Sequence, residues 1–332
     1  MFGWQLKDFR KDRRSSQHGS IQKPTILITL VSCFLVLVVV LAWFALGRVK
    51  EKIQSDGGDE LEIVLKTTQE SLNLWAQSNK INLSLLAKDP RLVSLTERQL
   101  RLPRNKISLS GSEILKELRA FFLGHKDEFE QAGFFVIAPD FVNIASMRDS
   151  NIGDKNLIAS QALDLLNRAF QGEAVMVPPI WSDVPLSASS DSNLKRTPTM
   201  FFAAPIKNIK GNIIAVLTQP VDPSMDFSRL IQLGRIGNSG ETYAFGRYGK
   251  LLSESRFNDD LRRAGLIGED EKSILSVSIR DPGGDMTKGF SPSVPRYQQP
   301  LTQMAEEAVK GQSGYNVDGY RDYRGVPVYG AW

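Results

Sequence analysis

The sequence predicts an α+β protein in which one membrane-spanning helix and a long stalk helix precede two similar units of strands and helices. Three features predict this class. An uncharged apolar run lies near the N-terminus, a stripe with heptad-like spacing follows it, and the order helix, hairpin, helix, hairpin then occurs twice. The length of 332 residues fits about two domains of ordinary size.

The composition excludes several kinds of site. Hydrophobic residues make up 42% and charged residues 23% of the chain, which is ordinary for a folded protein. The single cysteine, Cys33, excludes an intramolecular disulfide, and the widely separated His18 and His125 exclude a multi-histidine metal site. A net charge of +4 is too small to indicate nucleic-acid binding. We therefore expect no catalytic site, no cofactor, no metal and no nucleic-acid partner.

Residues 25–47 are predicted to be a transmembrane helix in contact with the lipid bilayer. Residues 25–46 carry no charge, and a helix of 25–47 reaches about 34 Å, enough to cross a hydrocarbon core of about 30 Å. A buried core helix is rarely apolar on every face. A cleaved signal peptide has a shorter apolar region that ends in small residues, whereas this one ends in Trp43, Phe44 and Leu46.

The flanking charges predict the orientation of this helix. Residues 1–24 carry six Lys and Arg against two Asp, whereas residues 48–67 carry four Lys and Arg against five acidic residues. Positive charge is retained on the cytoplasmic side. We therefore expect residues 1–24 to be a cytoplasmic tail and residues 48–332 to be extracytoplasmic, anchored in the cytoplasmic (inner) membrane.

Residues 48–90 are predicted to form the stalk helix, ended by Asp89-Pro90 because proline disfavours helix at the preceding residue. Two interpretations of its stripe remain open. The stalk pairs with a second copy and makes a homodimer, or it is an amphipathic helix that lies on its own domain. The stripe consists of Leu61, Leu65, Thr68, Leu72, Trp75, Asn79, Asn82 and Leu86.

Residues 91–222 form the first predicted unit and residues 223–332 the second. In the first we expect helices over 111–131 and 157–170, a loop over 185–199, and strands over 134–138, 142–146, 174–180, 199–205 and 212–218. In the second we expect helices over 227–233 and 300–310, and strands over 242–245, 250–255, 273–279, 315–320 and 326–332. The last strand ends within a hairpin, so we expect the chain to be part of a longer protein.

Several polar residues of the second unit have a predicted structural role. Glu241 and Thr242 are expected to brace the hairpin that follows them. Glu254 and Arg256 lie two residues apart and are expected to form an ion pair on one sheet face. Turns with positive φ are predicted at Gly237, Gly240 and Gly249.

Four stretches of the second unit carry a resemblance to a known family. They are GRIGNSGETYAF (234–245), LLSESRF (251–257), IRDPGG (279–284) and YRDYRGVPVYGAW (320–332). With the tail, span, stalk and two tandem units, they resemble the double Cache (dCache) extracytoplasmic sensors of bacterial transmembrane signalling proteins. The resemblance covers 48–332. It implies two PAS-like units, each with a central antiparallel sheet flanked by helices, and a second span and cytoplasmic effector after Trp332.

The resemblance also implies a ligand site in the first, membrane-distal unit, between the sheet and the loops that cross it. By position the candidates are Arg148, Asp149, Trp181, Asp183 and Phe202. Asp183 would pair with an amine, Arg148 would bind a carboxylate, and Trp181 would form an aromatic wall. The alternatives are a solvent-exposed Arg148-Asp149 pair at a strand end and core packing of Trp181.

One departure from the family narrows the ligand. Trp181-x-Asp183 resembles the aromatic-x-Asp element of amino-acid-binding dCache domains. Those domains carry an Arg-x-Trp-Tyr element upstream, where this chain reads LDLLNRAFQGEA over residues 163–174. The clamp for an α-carboxylate is therefore missing, which argues against an amino-acid ligand.

Together these features predict an extracytoplasmic small-molecule sensing module of a membrane-bound receptor, with an effector absent from this chain. The alternative is a membrane-anchored ectodomain that binds a periplasmic protein partner without sensing a small molecule. An outward-facing enzyme is disfavoured. Its best carboxylates, Asp281 and Asp285, lie in a turn-rich stretch without a nucleophile–base pair.

Overall fold

A computed structural model describes residues 22–125, 133–183 and 196–332 of the protein. Residues 1–21 of the predicted cytoplasmic tail, the end of the predicted helix over 111–131 and most of the predicted loop over 185–199 lie outside these residues. The chain divides into two compact parts, one ending at Asp56 and the other comprising Gly57–Trp332. The two parts are described separately below.

The first helix, α1, is continuous from Gln22 to Leu86. Among the described residues, α1 is the one helix that is long and apolar enough to cross a membrane, and its apolar part is the N-terminal half. The side chains of residues 27–46 are exposed. These properties agree with the predicted transmembrane segment by length and composition.

The predicted end of the stalk at Asp89-Pro90 is instead the start of the next helix. α1 ends at Leu86, and α2 spans Pro90–Leu100. The Asp89 carboxylate accepts hydrogen bonds from the backbone N–H groups of Arg91 and Leu92. Proline at the first helical position lacks only a donor that would have no helical partner. Asp89-Pro90 is therefore an N-terminal cap.

Within the second part of the chain, α1 lies on its own domain. Thr68 is buried close to Gly234, where an added Cβ would collide with the threonine hydroxyl. The Trp75 ring lies 5.3 Å from the ring of Phe202 and 6.0 Å from that of Phe227. These contacts favour the amphipathic interpretation of the predicted stripe over pairing through that stripe.

Residues 91–222, the first predicted unit, contain a five-stranded antiparallel sheet with the strand order β2-β1-β5-β4-β3. This sheet, flanked by helices, is the PAS-like arrangement expected for the unit. The predicted helix over 157–170 is interrupted at Ala162 and forms two helices. In chain order the elements are α3 (Lys106–Ser110), α4 (Glu113–Leu123), β1 (Phe135–Ile137), β2 (Asn143–Ser146), α5 (Leu157–Gln161), α6 (Leu163–Phe170), β3 (Val175–Ser182), β4 (Thr197–Lys207) and β5 (Ile213–Val221).

Both faces of this sheet are buried, because successive side chains of a strand point to opposite sides. On one face Phe202 and Leu217 pack with residues of α1, α2 and α4. On the other, Phe201 and Val216 pack with residues of α5 and α6. We call these the α1–α4 face and the α5–α6 face.

The second unit contains helices and one two-stranded sheet, β6–β7, among its described residues. The predicted hairpin over 242–255 and strand over 273–279 meet only in isolated bridges, such as Phe245–Leu251 and Lys250–Ser278. The expected central sheet is therefore present here as short extended segments. The regular elements are α7 (Asp226–Leu233), α8 (Asn258–Arg263), α9 (Gln303–Val309), β6 (Tyr315–Arg321) and β7 (Pro327–Ala331).

Two of the three predicted glycine turns have a positive φ. Gly237 has a φ of 60° and Gly249 a φ of 72°. Gly240 does not have the predicted positive φ. Glycine is needed there because a side chain would not fit. A Cβ at this position would lie 2.3 Å from the carbonyl oxygen of Ile236. The turn before Glu241 therefore depends on a close backbone approach.

Candidate functional site

Arg148 and Asp149 lie after β2, as predicted, in a short 3-10 turn. The Asp149 carboxylate is 63% exposed and lies 2.5 Å from a guanidinium nitrogen of Arg119. Arg119 also donates from Nε to the carbonyl oxygen of Ser146. Asp149 is thus bound by a partner from α4 at the edge of the sheet. Arg148 is half-buried next to it.

Trp181 and Asp183 lie at the end of β3 and just beyond it. The Gln161 side chain accepts from the backbone N–H of Trp181 and donates to its carbonyl oxygen, which fixes this segment against α5. The Asp183 carboxylate is 77% exposed and forms an ion pair with Arg196 at 3.0 Å. Asp183 therefore lies on the solvent side of the strand end.

Phe202 is a core residue of β4. It is fully buried on the α1–α4 face and makes an edge contact with the ring of Trp75. The predicted ligand residues are thus divided among a buried core, a strand end and two surface ion pairs. The structure does not bring Phe202 together with Asp149 or Asp183 around one opening.

The α5–α6 face carries polar groups that the sequence analysis did not single out. Thr199 and Thr218 are buried there, and neither hydroxyl has a hydrogen-bond partner among the described residues. Their register places them on this face, since Thr199 lies opposite Ile180 and Thr218 opposite Ala203. Buried hydroxyls nearly always have a partner. Two on one covered sheet face therefore make this face the candidate binding site.

A buried amide pair closes one end of the same face. Asn156 donates from Nδ2 to Oδ1 of Asn143 at 2.8 Å and also caps α5 by accepting from the N–H of Ile158. Among the described residues buried on this face none is charged. The arrangement therefore offers hydroxyl and aromatic groups to a bound molecule but no ionic anchor.

A second polar centre lies in the second unit around Glu241. Its carboxylate accepts hydrogen bonds from Tyr323 Oη at 2.7 Å, from Ser255 Oγ at 2.8 Å and from the N–H of Arg256 at 3.0 Å. Thr242 donates to the carbonyl oxygen of Gly234. These bonds brace the chain around the predicted hairpin, as expected for Glu241 and Thr242.

Burial of this centre raises the pKa of two of its groups. Burial raises the pKa of Glu241 above its ordinary value, although the hydrogen bonds from Tyr323 and Ser255 oppose that effect. Burial and the neighbouring Glu241 raise the pKa of Tyr323 well above 10. Arg324 lies beside the network, bonded to Asp322 and Asp260 and 3.6 Å above the ring of Phe257. This fully bonded network is a structural brace.

The prediction of an ion pair between Glu254 and Arg256 is wrong. Glu254 Oε1 accepts from the backbone N–H and hydroxyl of Ser273 and from Asn258 Nδ2. Arg256 donates to the carbonyl oxygen of Gly240 and lies over the ring of Phe257. The strand expected to present both side chains on one face is not regular here, so each finds a separate partner.

The sequence carried only weak signals for these groups. The buried threonines lie in β4 and β5 among apolar residues, where alternation alone does not show which face is covered by α5 and α6. Glu241 lies within a stretch that carried the family resemblance. No group of three or more His, Cys, Asp or Glu among the described residues could hold a metal ion.

Comparison with known proteins gives matches in structure only. No family model matches the chain, and no curated protein matches it in sequence.

Several solved structures are similar to the chain. The periplasmic sensory domain of the Campylobacter jejuni chemoreceptor Tlp1 is 12% identical, with a TM-score of 0.41, over 83% of this chain and 89% of that one. The extracellular domain of mmHK1S-Z2, described as a histidine kinase, is 11% identical, with a TM-score of 0.41, over 81% and 88%. The ligand-binding domain of the C. jejuni chemoreceptor Tlp3 with L-valine is 14% identical, with a TM-score of 0.36, over 67% and 82%.

Proposed function

We propose that this chain is the extracytoplasmic sensing part of a membrane-anchored receptor and that it binds a small molecule on the α5–α6 face of the first unit. The observation that carries the proposal is the pair of buried hydroxyls, Thr199 and Thr218, without partners among the described residues. An unbonded buried hydroxyl costs about 1–3 kcal/mol. A ligand with hydrogen-bonding groups would remove that cost and would therefore favour the bound form.

The same face indicates the chemistry of the ligand. Its buried side chains are apolar or uncharged, including Phe201, Val177, Ile180 and Leu166. A charged molecule would lose its hydration without gaining an ionic partner. We therefore infer an uncharged molecule with hydroxyl or amide groups. The missing α-carboxylate clamp in the sequence supports this choice over an amino acid.

The proposed signal leaves the first unit through α1. Phe202 lies on the opposite side of β4 from Phe201, and its ring contacts Trp75 of α1. A ligand that alters the packing of β4 can therefore bias the position of Trp75. α1, which contains Trp75, is therefore the element through which such a shift would leave the first unit.

The ligand proposal is tested by thermal unfolding of the full chain in detergent. The probes are a panel of uncharged metabolites that carry hydroxyl or amide groups, with free amino acids as the charged comparison. We expect an uncharged compound to raise the unfolding temperature and Thr218→Val to abolish that shift. Thr96→Val is the matched control, because Thr96 is also a buried, unpartnered threonine but lies in α2.

Three results would contradict this proposal. The first is a shift produced only by amino acids, and the second is a shift equally lost in both threonine variants. The third is an absence of shift across the panel in a folded sample, which would favour an ectodomain that binds a periplasmic protein partner.

We also propose that two copies pair through the outer side of α1. Ile63, Leu74 and Ile81 are 63%, 69% and 49% exposed, and they lie on a heptad seam that also contains Thr67 and Glu70. At 3.6 residues per turn, this seam lies about 150° around the helix from the stripe packed on the domain. Exposed apolar residues with this spacing are suited to a second helix.

Cysteine crosslinking tests this homodimer. The chain has one native cysteine, so Cys33→Ser provides a clean background. Leu74→Cys is expected to form a disulfide-linked dimer in membranes, because seam positions of paired helices approach closely enough for that bond. Gln69→Cys is exposed but lies off the seam and is expected to crosslink weakly. Equal crosslinking at both positions would contradict pairing through this seam.

The orientation proposed from the flanking charges places residues 48–332 outside the cytoplasm. A membrane-impermeant maleimide tests it in intact cells that express a Cys33→Ser, Lys288→Cys chain. Lys288 is 82% exposed, so a cysteine there is expected to be labelled. Labelling only after cell lysis would overturn the orientation.

A further inference from the structure

Three cationic side chains of the second unit converge on one short segment of backbone. Lys250 donates from Nζ to the carbonyl oxygen of Ser276 at 3.1 Å, and Arg296 donates from Nη2 to that of Ser278 at 2.7 Å. Arg280 follows in the same segment. The three side chains come from separate parts of the chain, so folding brings their charges together.

Gln299 links the two guanidinium groups. Its side-chain oxygen accepts from Arg296 Nη1 at 3.2 Å, and its carbonyl oxygen accepts from Arg280. Gln299 is itself buried. The cations are therefore held in place by neutral oxygen atoms rather than by carboxylates.

The acidic side chains nearest to this cluster are already engaged. Asp281 binds Arg321 through two hydrogen bonds of 2.9 Å, and Asp322 binds Arg324 at 2.8 Å. Glu271 accepts from a backbone N–H. Among the residues that the structure describes, neither Lys250 nor the two arginines of the cluster form an ion pair with a carboxylate.

Burial and mutual repulsion both affect the pKa values of the cluster. Burial, Arg280 and Arg296 lower the pKa of Lys250. Burial and Arg280 lower the pKa of Arg296 to about 10. Asp322 and Asp281 act in the opposite direction on Arg296, and Glu271 does so on Lys250, but the pKa of each cation is still lowered. A further anion would relieve this repulsion, because like charges in a partly buried place destabilise the fold.

Two further atoms of the cluster point to a ligand with several acceptor oxygens. Arg296 Nε and Ser276 Oγ are both buried, and neither has a hydrogen-bond partner among the described residues. Each can donate a hydrogen bond. Arg296 Nη2 already donates to the carbonyl oxygens of Ser278 and Tyr323, so Nε is the donor that this guanidinium would offer to an oxyanion. We propose that the second unit binds a multivalent oxyanion of the phosphoryl class between Lys250, Arg280 and Arg296.

This anion site is independent of the proposed ligand site in the first unit. It lies on different elements and selects the opposite chemistry, since it needs a multiply charged ligand. Lys250 is exposed and Arg280 and Arg296 are half-buried, so the cluster meets solvent on its Lys250 side. The phosphoryl group could belong to a free phosphate or to a lipid headgroup, and the experiment below separates the two sources.

The test uses the full chain in non-ionic detergent with inorganic phosphate as the probe and sodium chloride at the same ionic strength as the reference. We expect phosphate to raise the unfolding temperature more than chloride does. Lys250→Gln and Arg280→Gln should each weaken phosphate binding about tenfold or more, as expected for loss of a charge-assisted hydrogen bond.

The unliganded protein supplies a second readout. Because Lys250→Gln removes one of three mutually repelling charges, we expect it to raise the unfolding temperature without phosphate. Lys288→Gln is the matched control, since Lys288 is an exposed lysine of the same unit already paired with Asp285 at 3.2 Å. It should leave phosphate binding unchanged. Equal phosphate and chloride shifts in the wild type, or equal losses in Lys250→Gln and Lys288→Gln, would overturn the free-phosphate site.

A second arm replaces free phosphate by lipid. The chain is reconstituted in nanodiscs of phosphatidylcholine with or without phosphatidylglycerol, in phosphate-free buffer. A stabilisation that needs the anionic lipid and is lost in Lys250→Gln assigns the site to a headgroup. If neither free phosphate nor the anionic lipid produces a shift that depends on Lys250, the proposal is wrong.

Discussion

The first and second units are stabilised in different ways. The first buries apolar side chains on both faces of a five-stranded sheet, with Phe202 on one face and Phe201 on the other. The second, over its described residues, has a two-stranded sheet and encloses a network of polar and charged groups around Glu241, Tyr323 and Arg324.

This difference predicts which perturbations should destabilise each unit. Apolar packing depends on volume and shape, so the first unit should respond to cavities and little to pH. A buried polar network depends on every partner being present, so the second unit should respond to single charges and to protonation. Hydrogen exchange of peptides from β4–β5 and β6–β7 reports on the two units separately.

The largest expected effect is that of Phe202→Ala. Phe202 is fully buried and contacts Trp75, so its truncation leaves a cavity and should cost about 3–5 kcal/mol of unfolding free energy. Exchange should accelerate first in β4–β5. Ile209→Ala, at the 98% exposed tip of the same hairpin, is the control and should change little. Equal effects of the two variants would show that β4 is not part of a packed core.

Arg324→Ala should have the next largest effect and should act on the second unit. Arg324 is 8% exposed and pairs with Asp322, which is 6% exposed, so its removal leaves that enclosed carboxylate without its cation at a cost of about 3 kcal/mol. Asp260, its second partner, keeps an ion pair with Arg263. Arg321→Ala is the matched control. Its ion pair with Asp281 is 47% exposed on the arginine side and should be worth less than about 1 kcal/mol. Urea unfolding of both variants measures the contrast, and equal losses would contradict an enclosed network.

The pH dependence of the second unit should be smaller and should depend on Glu241. Burial raises the folded pKa of this carboxyl above its ordinary 4.5. The folded state therefore holds a proton on Glu241 more tightly than the unfolded state does. The stabilisation from this proton is complete below the pKa of Glu241 in the unfolded chain and is lost as the pH rises through its pKa in the folded protein. The unfolding free energy of the wild type, relative to Glu241→Gln, should fall over that range. A difference that is constant or rises with pH would contradict this assignment.

Asp183→Ala should have the smallest effect. Asp183 and Arg196 form an exposed ion pair in the first unit, and such pairs contribute less than about 1 kcal/mol. The thermal unfolding of the unliganded protein should therefore be nearly unchanged. A large loss would show that the end of β3 carries more of the first unit's stability than its exposure indicates.

Much of the fold could be predicted because its determinants are local. The uncharged run, the hairpin around Gly211 and the strands of the first sheet follow from apolar alternation and turn residues. One exception was Asp89-Pro90, which can either end one helix or begin the next. A short turn after Leu86 lets Asp89 cap α2, and only the path of the backbone shows this.

The candidate site could not be predicted to the same extent. Alternation places Phe201 and Phe202 on opposite faces but does not show which face lies under α5 and α6. The resemblance selected Phe202 by its position on the predicted fourth strand, whereas the buried hydroxyls without partners among the described residues are those of Thr199 and Thr218. The ion pairs of Asp149 with Arg119 and of Asp183 with Arg196 were likewise unforeseen, because the partners lie 30 and 13 residues away in the chain.

The sequence by itself determined the apolar run that is long enough to cross a membrane, the long helix and the strand order along the chain in the first unit, since each depends on neighbouring residues and their spacing. Only the tertiary structure decided where the charges and hydroxyls find partners. Glu241 and Tyr323 are 82 residues apart and hydrogen-bonded, and Lys250, Arg280 and Arg296 meet because folding bends the chain back on itself. Electrostatic and hydrogen-bond energies depend on distance in space, which residue spacing does not record.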